Sequence, residues 1–290
     1  MGDVQGCGDE LEELLARASH AYDTQYELWC VGDLINRGPK NLLALQCVRK
    51  LVAAGRGHYV LGNHEINLLR VWLGLRDLAR RDTFGDVLES SPGEGWIDWI
   101  CTQSVAICGE VAGSKFAMVH ASVHPDWSLA ELEAKARRVE ARLASGDKSE
   151  LRALLGPAEP TSDTSLAEDR DTLGRLTRCR SVDPSQAWSS DQPEGPSRPW
   201  HAAWSEREHD YGVVYGHWAM QGLHIAPGLR GLDTGCVHHD RGRDGYLTAW
   251  LPEASDSNSD TNLAGTASSD QFEVPDDRFW RIPARRRYYE

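Results

Sequence analysis

Five short segments of this chain end an apolar run with a side chain able to bind a cation. They are GDVQG (2–6), GDLINRG (32–38), GNHE (62–65), VHAS (119–122) and YGHW (215–218). Asp3 and Asp33 lie 30 residues apart, and Asp33 and Asn63 another 30. The donors are carboxylate, amide oxygen and imidazole, with no thiolate. Such a set suits Mn²⁺, iron, Co²⁺ or Zn²⁺ in a reactive centre better than a structural zinc, which favours cysteine. Each residue alone has a plainer reading. An Asp after a strand caps a helix, a lone buried His is a satisfied core group, and Gly-Asn is a turn dipeptide. Five such ends together favour chemistry, and Asp3, Asp33, Asn63, His120 and His217 are expected to converge.

The elements that must position them follow from periodicity. Residues 9–22 place Leu11, Leu14, Leu15 and Ala18 on one helical face, and 27–33 is a short strand ending in a carboxylate. A helix over 39–54 has Pro39 suited to its first position and Gly55 as its stop. Strand 58–61 leads to a third helix near 64–81. Strands 116–119 and 212–215 run into His120 and Gly216-His217, and Ser128 with Glu131 forms a capping box opening helix 128–144. Alternation of this kind means βαβ units and a parallel sheet, whose ligands bind beyond the carboxyl ends of the strands. Residues 183–199 read as a loop. The polar run 253–271 reads as a mobile excursion before the chain returns with Phe279, Trp280 and Ile282. One domain over 1–290 is expected.

The net charge of −13 makes the surface a poor non-specific binder of nucleic acid, so cations for an anionic substrate must be gathered locally. No run approaches the roughly 20 apolar residues of a membrane helix. The opening residues carry no basic-then-apolar leader. The seven cysteines hold no C-x-x-C pair and read as buried thiols of a reducing compartment. A soluble, cytoplasmic protein without a membrane partner is expected.

The order GD-x-x-G, GD-x-x-x-RG, GNHE, VHA and GH resembles the calcineurin-like metallophosphoesterases of the phosphoprotein phosphatase type. TRCR (177–180), RPW (198–200), YGHWA (215–219) and LDTGC (232–236) resemble the bacterial symmetrical bis(5′-nucleosyl)-tetraphosphatases, which split diadenosine tetraphosphate into two ADP. The resemblance runs from Gly2 to about Pro252 and again near 278–283. It implies an α/β sandwich of two mixed β-sheets flanked by helices, and two divalent ions: Mn²⁺ foremost, with Co²⁺, iron, Zn²⁺ or Mg²⁺ as alternatives. Asp33 would bridge them, Asp3 would ligate the first, and Asn63, His120 and His217 the second. His64 would act as general acid, supported by Asn36, while Arg37, Arg178 and Arg180 would hold phosphate oxygens. Nucleoside-polyphosphate-capped RNA 5′ ends present the same anhydride and are a second candidate substrate.

Three departures bear on these expectations. Gln5 stands where the motif often has His, a weaker ligand that loosens the first metal site. Asn36 replaces the second Asp of the protein phosphatase motif; it can accept a bond from His64 but stabilises an imidazolium less. The chain opens at Met1 directly before Gly2-Asp3, so either its true start lies upstream or Asp3 hangs from a frayed end with little support. A Ser/Thr protein phosphatase using the same site, and a non-catalytic nucleotide sensor, are the alternatives. Trp218, Trp200 and Trp127 are aromatic platforms for a base, with core packing as the competing reading. His238-His239-Asp240 and the run Arg285-Arg286-Arg287 read as solvated surface, with an extra metal site and a polyphosphate or RNA contact as their functional readings.

Overall fold

The computed structural model describes residues 1–111, 113–157, 162–252 and 278–288; the polar run 253–271 lies outside them. Amphipathic spacing builds α1 (Gly8–Tyr22), which buries Leu11, Leu14 and Ala18. Then follow β1 (Leu28–Cys30), α2 (Asn41–Ala53), β2 (Gly57–Tyr59) and α3 (Asn63–Trp72), with β1 and β2 paired in parallel. Pro39 is not the first residue of α2, because Lys40 caps that helix. Nor does α3 run to 81. It ends where the Leu75 N–H turns back to Arg70 O at 2.8 Å, which frees residues 76–83 to fold over the 32–38 segment.

The chain continues through α4 (Gly85–Glu94) and α5 (Trp96–Cys101) to the hairpin of β3 (Ala106–Val111) and β4 (Ser114–Val119). Next come α6 (Leu129–Leu143), α7 (Lys148–Leu155) and α8 (Thr164–Arg178). The expected capping box is present: the Glu131 N–H donates to Ser128 Oγ at 3.3 Å, and the Ser128 N–H to Glu131 Oε2 at 2.9 Å. The 183–199 segment is not wholly irregular. β5 (Ser181–Val182) is flanked antiparallel by β6 (Trp188–Ser189) and β7 (Arg198–Pro199), strands too short to leave a period-2 signal. After α9 (Trp200–Ser205) come β8 (Gly212–Tyr215), β9 (His224–Ala226), β10 (Leu229–Gly231), β11 (Tyr246–Trp250) and β12 (Phe279–Pro283).

Two mixed sheets result. One has the order β3-β4-β8-β10-β9, with β4, β8 and β10 parallel and antiparallel strands at both edges. In the other, Met1 and Gly2 join two strand pairs. The Met1 ammonium donates to Trp29 O at 2.7 Å, the Val31 N–H to Met1 O at 3.1 Å, and the Gly2 N–H to Thr248 O at 2.9 Å. The order is therefore β2-β1, the Met1–Gly2 link, then β11-β12, the last two antiparallel. Asp3 thus has backbone support on both sides and does not hang from a frayed end.

Between the sheets Val31, Val60 and Trp250 meet Phe116, Met118, Val214 and Leu232. The alternate residues Ala117, Val119, Val213 and Tyr215 join the core formed with the helices, as the period of two along a strand requires. All seven cysteines are free thiols, five of them buried. No helix among the described residues is long and apolar enough to cross a membrane.

Candidate functional site

The strand ends of both sheets open onto one place. His120 directly follows β4, His217 lies two residues past β8, Asp33 three past β1, and Asn63 opens α3 after β2. Asn63 Oδ1 lies 3.1 Å from His120 Nε2 and 2.8 Å from His217 Nδ1. Asp33 Oδ2 is 3.4 Å from His120 Nε2. The far nitrogens have partners: His120 Nδ1–H donates to Val31 O at 2.8 Å and His217 Nε2–H to Arg178 O at 3.0 Å. With both protons so committed, the near nitrogens turn lone pairs toward the amide oxygen and the carboxylate. Lone pairs facing one another without a proton between them fit a cation.

Asp3 is buried beside this cluster, its two oxygens each accepting from the His217 N–H at 3.2 Å. Asp33 Oδ1 accepts from the His64 N–H at 2.9 Å. Both approaches depend on missing side chains. A Cβ at Gly216 would overlap Asp3 Oδ1, and one at Gly62 would overlap Asp33 Oδ1. Gln5 Nε2 lies 3.4 Å from Asp33 Oδ2, while Gln5 Oε1 is buried with no hydrogen-bond partner among the described residues. Such an orphaned oxygen is costly in a protein interior and is what a metal ligand looks like before its ion is counted.

Strain concentrates here too. Gln5, Asp33, Asn36, Arg37 and His217 all adopt positive φ, between 47° and 81°. Left-handed backbone costs roughly 1–2 kcal/mol per non-glycine residue, and it clusters where geometry serves function. Glu65 helps to hold the 32–35 turn in place: its carboxylate accepts from the N–H groups of Gly62, Asp33, Leu34 and Ile35 at 2.9–3.3 Å.

The fields follow from burial and crowding. Burial pushes Asp3 well up, with Asp233 and Asp33 adding to it. Burial also raises Asp33, but in the metal-free protein the protonated forms of the His120 and His64 rings outweigh it and hold that carboxyl well below the usual range. Asp33 in turn raises His120 against the effect of burial. Burial lifts Glu65 to about 7. His64 and His217 are both lowered by burial, helped by Arg37 and Arg180 respectively.

Asn36 is oriented by its oxygen, which accepts from the Arg37 N–H at 2.8 Å and the Thr83 N–H at 3.0 Å. Its amide nitrogen therefore faces out, to His64 Nδ1 at 2.7 Å and Asp82 Oδ1 at 3.0 Å. Asn36 donates to His64 rather than accepting from it, contrary to the expectation above, because backbone donors already fill its acceptor. The His64 proton accordingly sits on Nε2, 3.6 Å from Asp33 Oδ2.

A cavity of about 520 Å³ opens over these groups, lined by Asp33, Asn63, His64 and His217 and walled by Arg37, Arg81, Arg180, Arg241 and Arg243. Arg178 is placed elsewhere: its guanidinium lies over the Trp188 ring at 5.3 Å, and its backbone carbonyl is what reaches His217. Trp218 lines the cavity, Trp200 is a core residue, and Trp127 borders a separate hollow. The 238–243 segment is not simply solvated, since His238, Arg241 and Arg243 face the cavity. Arg285 turns away to Glu13 on α1 at 2.8 Å.

Sequence reasoning missed Glu65, Asp233 and the 241–243 arginines. Glu65 stood inside GNHE. Leu232-Asp233 repeats the apolar-then-carboxylate form that drew notice at Asp3 and Asp33. The arginines left no signal, because residue types in a polar turn do not tell which way the side chains face.

Comparison with known proteins adds three findings. The profile of the family described as calcineurin-like phosphoesterase matches residues 1–148. Proteins named symmetrical bis(5′-nucleosyl)-tetraphosphatase are similar over most of the chain. That of Janthinobacterium sp. (strain Marseille) is 37% identical over 82% of this chain and 88% of its own length. That of Ralstonia nicotianae is 37% identical over 82% and 84%. A crystal structure described as a candidate diadenosine tetraphosphatase superposes with a TM-score of 0.51 at 23% identity, covering 85% of each chain.

Proposed function

Because the chain belongs to the calcineurin-like phosphoesterases and to the branch of the symmetrical tetraphosphatases within them, we propose that it hydrolyses diadenosine tetraphosphate at the middle of its phosphate bridge, releasing two ADP. The observation that carries this reading is the meeting of oxygen and nitrogen lone pairs from both sheets beneath an arginine-walled cavity. In this reading Asp3, Gln5 and Asp33 would hold one divalent ion, and Asp33, Asn63, His120 and His217 would hold another. Paired cations supply Lewis acidity, lowering the pKa of water and neutralising phosphate oxygens. The mixed donors favour Mn²⁺, with Co²⁺, iron, Zn²⁺ or Mg²⁺ able to substitute.

The chain's own groups do the rest. Arg37 and Arg180 present planar forks to phosphate oxygens, an arrangement a protein of net charge −13 needs locally. His64 donates its Nε2–H to the departing phosphate oxygen. With Nδ1 accepting from Asn36, the ring is neutral and acts as a hydrogen-bond donor rather than a strong acid. That is enough for ADP, since a terminal phosphate has a second pKa near about 6 and leaves as an anion. A serine alkoxide would need full protonation, so the same bond disfavours the protein phosphatase alternative.

Capped RNA 5′ ends carry the same anhydride and belong to the proposed substrate class. Seven unpaired thiols suit the reducing cytoplasm. We read the chain as one domain. Product analysis tests the proposal: with Mn²⁺, diadenosine tetraphosphate should give ADP alone, and a chelator should stop the reaction. ATP plus AMP would contradict symmetrical cleavage. Nucleotide binding without turnover would support a sensor, and release of phosphate from phosphoserine peptides at comparable rates a protein phosphatase.

A further inference from the structure

The strand ends supply one donor more than the set just described. β10 runs parallel to β8, with Leu229 opposite Val213 and Gly231 opposite Tyr215. Two residues past the last of these pairs, Asp233 stands level with His217. The alignment continues beyond the named strand, because the Leu232 N–H donates to Tyr215 O at 2.8 Å. The same segment lies against the chain beside Asp3: a Cβ on Gly2 would overlap Leu232 O and come within 3.3 Å of Asp233 N. Asp233 is only 3% exposed. Its Oδ1 accepts from the Gly235 N–H at 3.0 Å, closing a tight turn that fixes the side chain. Its Oδ2 is buried with no hydrogen-bond partner among the described residues, as is Gln5 Oε1. Asp233 is also the foremost charge acting on Asp3, ahead of Asp33.

A buried, unpartnered carboxylate oxygen near enough to Asp3 and Asp33 for their charges to act on one another must be relieved by a proton or by a cation, and the cation serves all three carboxylates at once. We propose that Asp233 is a ligand of the first divalent cation, completing with Asp3, Asp33 and Gln5 an all-oxygen set. The inference rests on the dinuclear reading above and deepens it. Oxygen-only donors with several carboxylates suit Mg²⁺ or Mn²⁺, whereas the imidazole-bearing second position suits Zn²⁺, Co²⁺ or iron as well. The two positions are therefore chemically unequal, and Asp233 makes good at the first what an amide at Gln5 gives up relative to an imidazole.

The test is Mn²⁺ binding to the chelator-stripped full chain, followed by calorimetry and by the EPR signal of free Mn²⁺. The wild type should bind two ions. Asp233→Asn keeps the acceptor for Gly235 and the side-chain size, and should weaken one position at least tenfold while leaving the other unchanged; Asp3→Asn should weaken the same position. In the wild type, which needs no variant to fold, Mg²⁺ should displace one Mn²⁺ at concentrations at least tenfold below those that displace the other. Two ions bound to Asp233→Asn with wild-type affinity, loss of both ions together, or equal displacement by Mg²⁺ would overturn the assignment. Fewer than two ions on the wild type would instead bring down the dinuclear reading, and the role of Asp233 with it.

Discussion

Asn36 turns its amide nitrogen toward His64 because its oxygen already accepts from the Arg37 and Thr83 N–H groups. The ring is thereby set as a donor from Nε2, and this choice predicts how substitutions behave. Losing one preorganised donor to developing charge costs about 10²–10³ in turnover. His64→Ala should fall by about that factor with metal content unchanged, because the His64 side chain is not in the ligand set. His64→Gln, which keeps an N–H donor, should recover at least a tenth of wild-type activity. Steady-state kinetics with metal analysis check both. Equal loss in the two variants would mean that a protonated imidazole is required after all. At the same scale Asp33→Asn should abolish turnover and reduce bound metal, since both cation positions share that carboxylate.

Among the elements, the parallel strand ends do the positioning, and the backbone must approach closely for them to do so. Gly216 is the sharpest case. Its N-terminal neighbour Tyr215 ends β8, and its own Cβ position is occupied by Asp3 Oδ1. Gly216→Ala should displace Asp3, cost at least one bound cation and lower activity at least tenfold, while far-ultraviolet circular dichroism stays that of the wild type; an unchanged metal titration would contradict it. The capping box of α6 behaves in the opposite way. Ser128→Ala should lower stability by about 1 kcal/mol and leave kcat untouched, since Ser128 is remote from the cavity. Denaturant unfolding with a kinetic assay separates these effects. This scale also shows what the sequence made legible. The apolar runs before Asp33, Asn63, His120 and His217 carried both strand and ligand in one signal. Asp233 has the same form, but after a three-residue strand it had too little pattern around it. The left-handed turns at Asp33, Asn36 and Arg37 leave no mark in residue type, because nothing but tertiary context holds them. The joining of two strand pairs through Met1 and Gly2 likewise exists only once distant residues meet.

For the molecule as a whole, the site is a store of buried negative charge. In the metal-free protein burial raises Asp233 to about 6 and Glu65 to about 7. A raised carboxyl means that the folded state holds its proton more tightly than the unfolded chain. The resulting stability is complete below the ordinary carboxyl range and is lost as pH rises through about 6 to 7. Asp33, held low by its histidines, acts oppositely and loses its contribution only in acid. Between pH 5 and about 6.5 the lowered His64, His201, His217 and His238 add stability as pH rises and oppose this trend. Chelator-stripped protein should therefore show a falling Tm between about pH 6.5 and 8, where the raised carboxyls still titrate. Mn²⁺ should restore it most at pH 8, where the carboxylates are ionised and the cation binds the folded state alone. Differential scanning fluorimetry at three pH values decides this; a stripped protein whose Tm rises over that range would contradict it.

The most direct test of paired cations at the strand ends is an anomalous difference map at the manganese edge from crystals grown with Mn²⁺. Two peaks are predicted, one against Asp3 and Gln5, the other against Asn63, His120 and His217, with Asp33 touching both. A single peak, or peaks away from Asp33, would contradict the account.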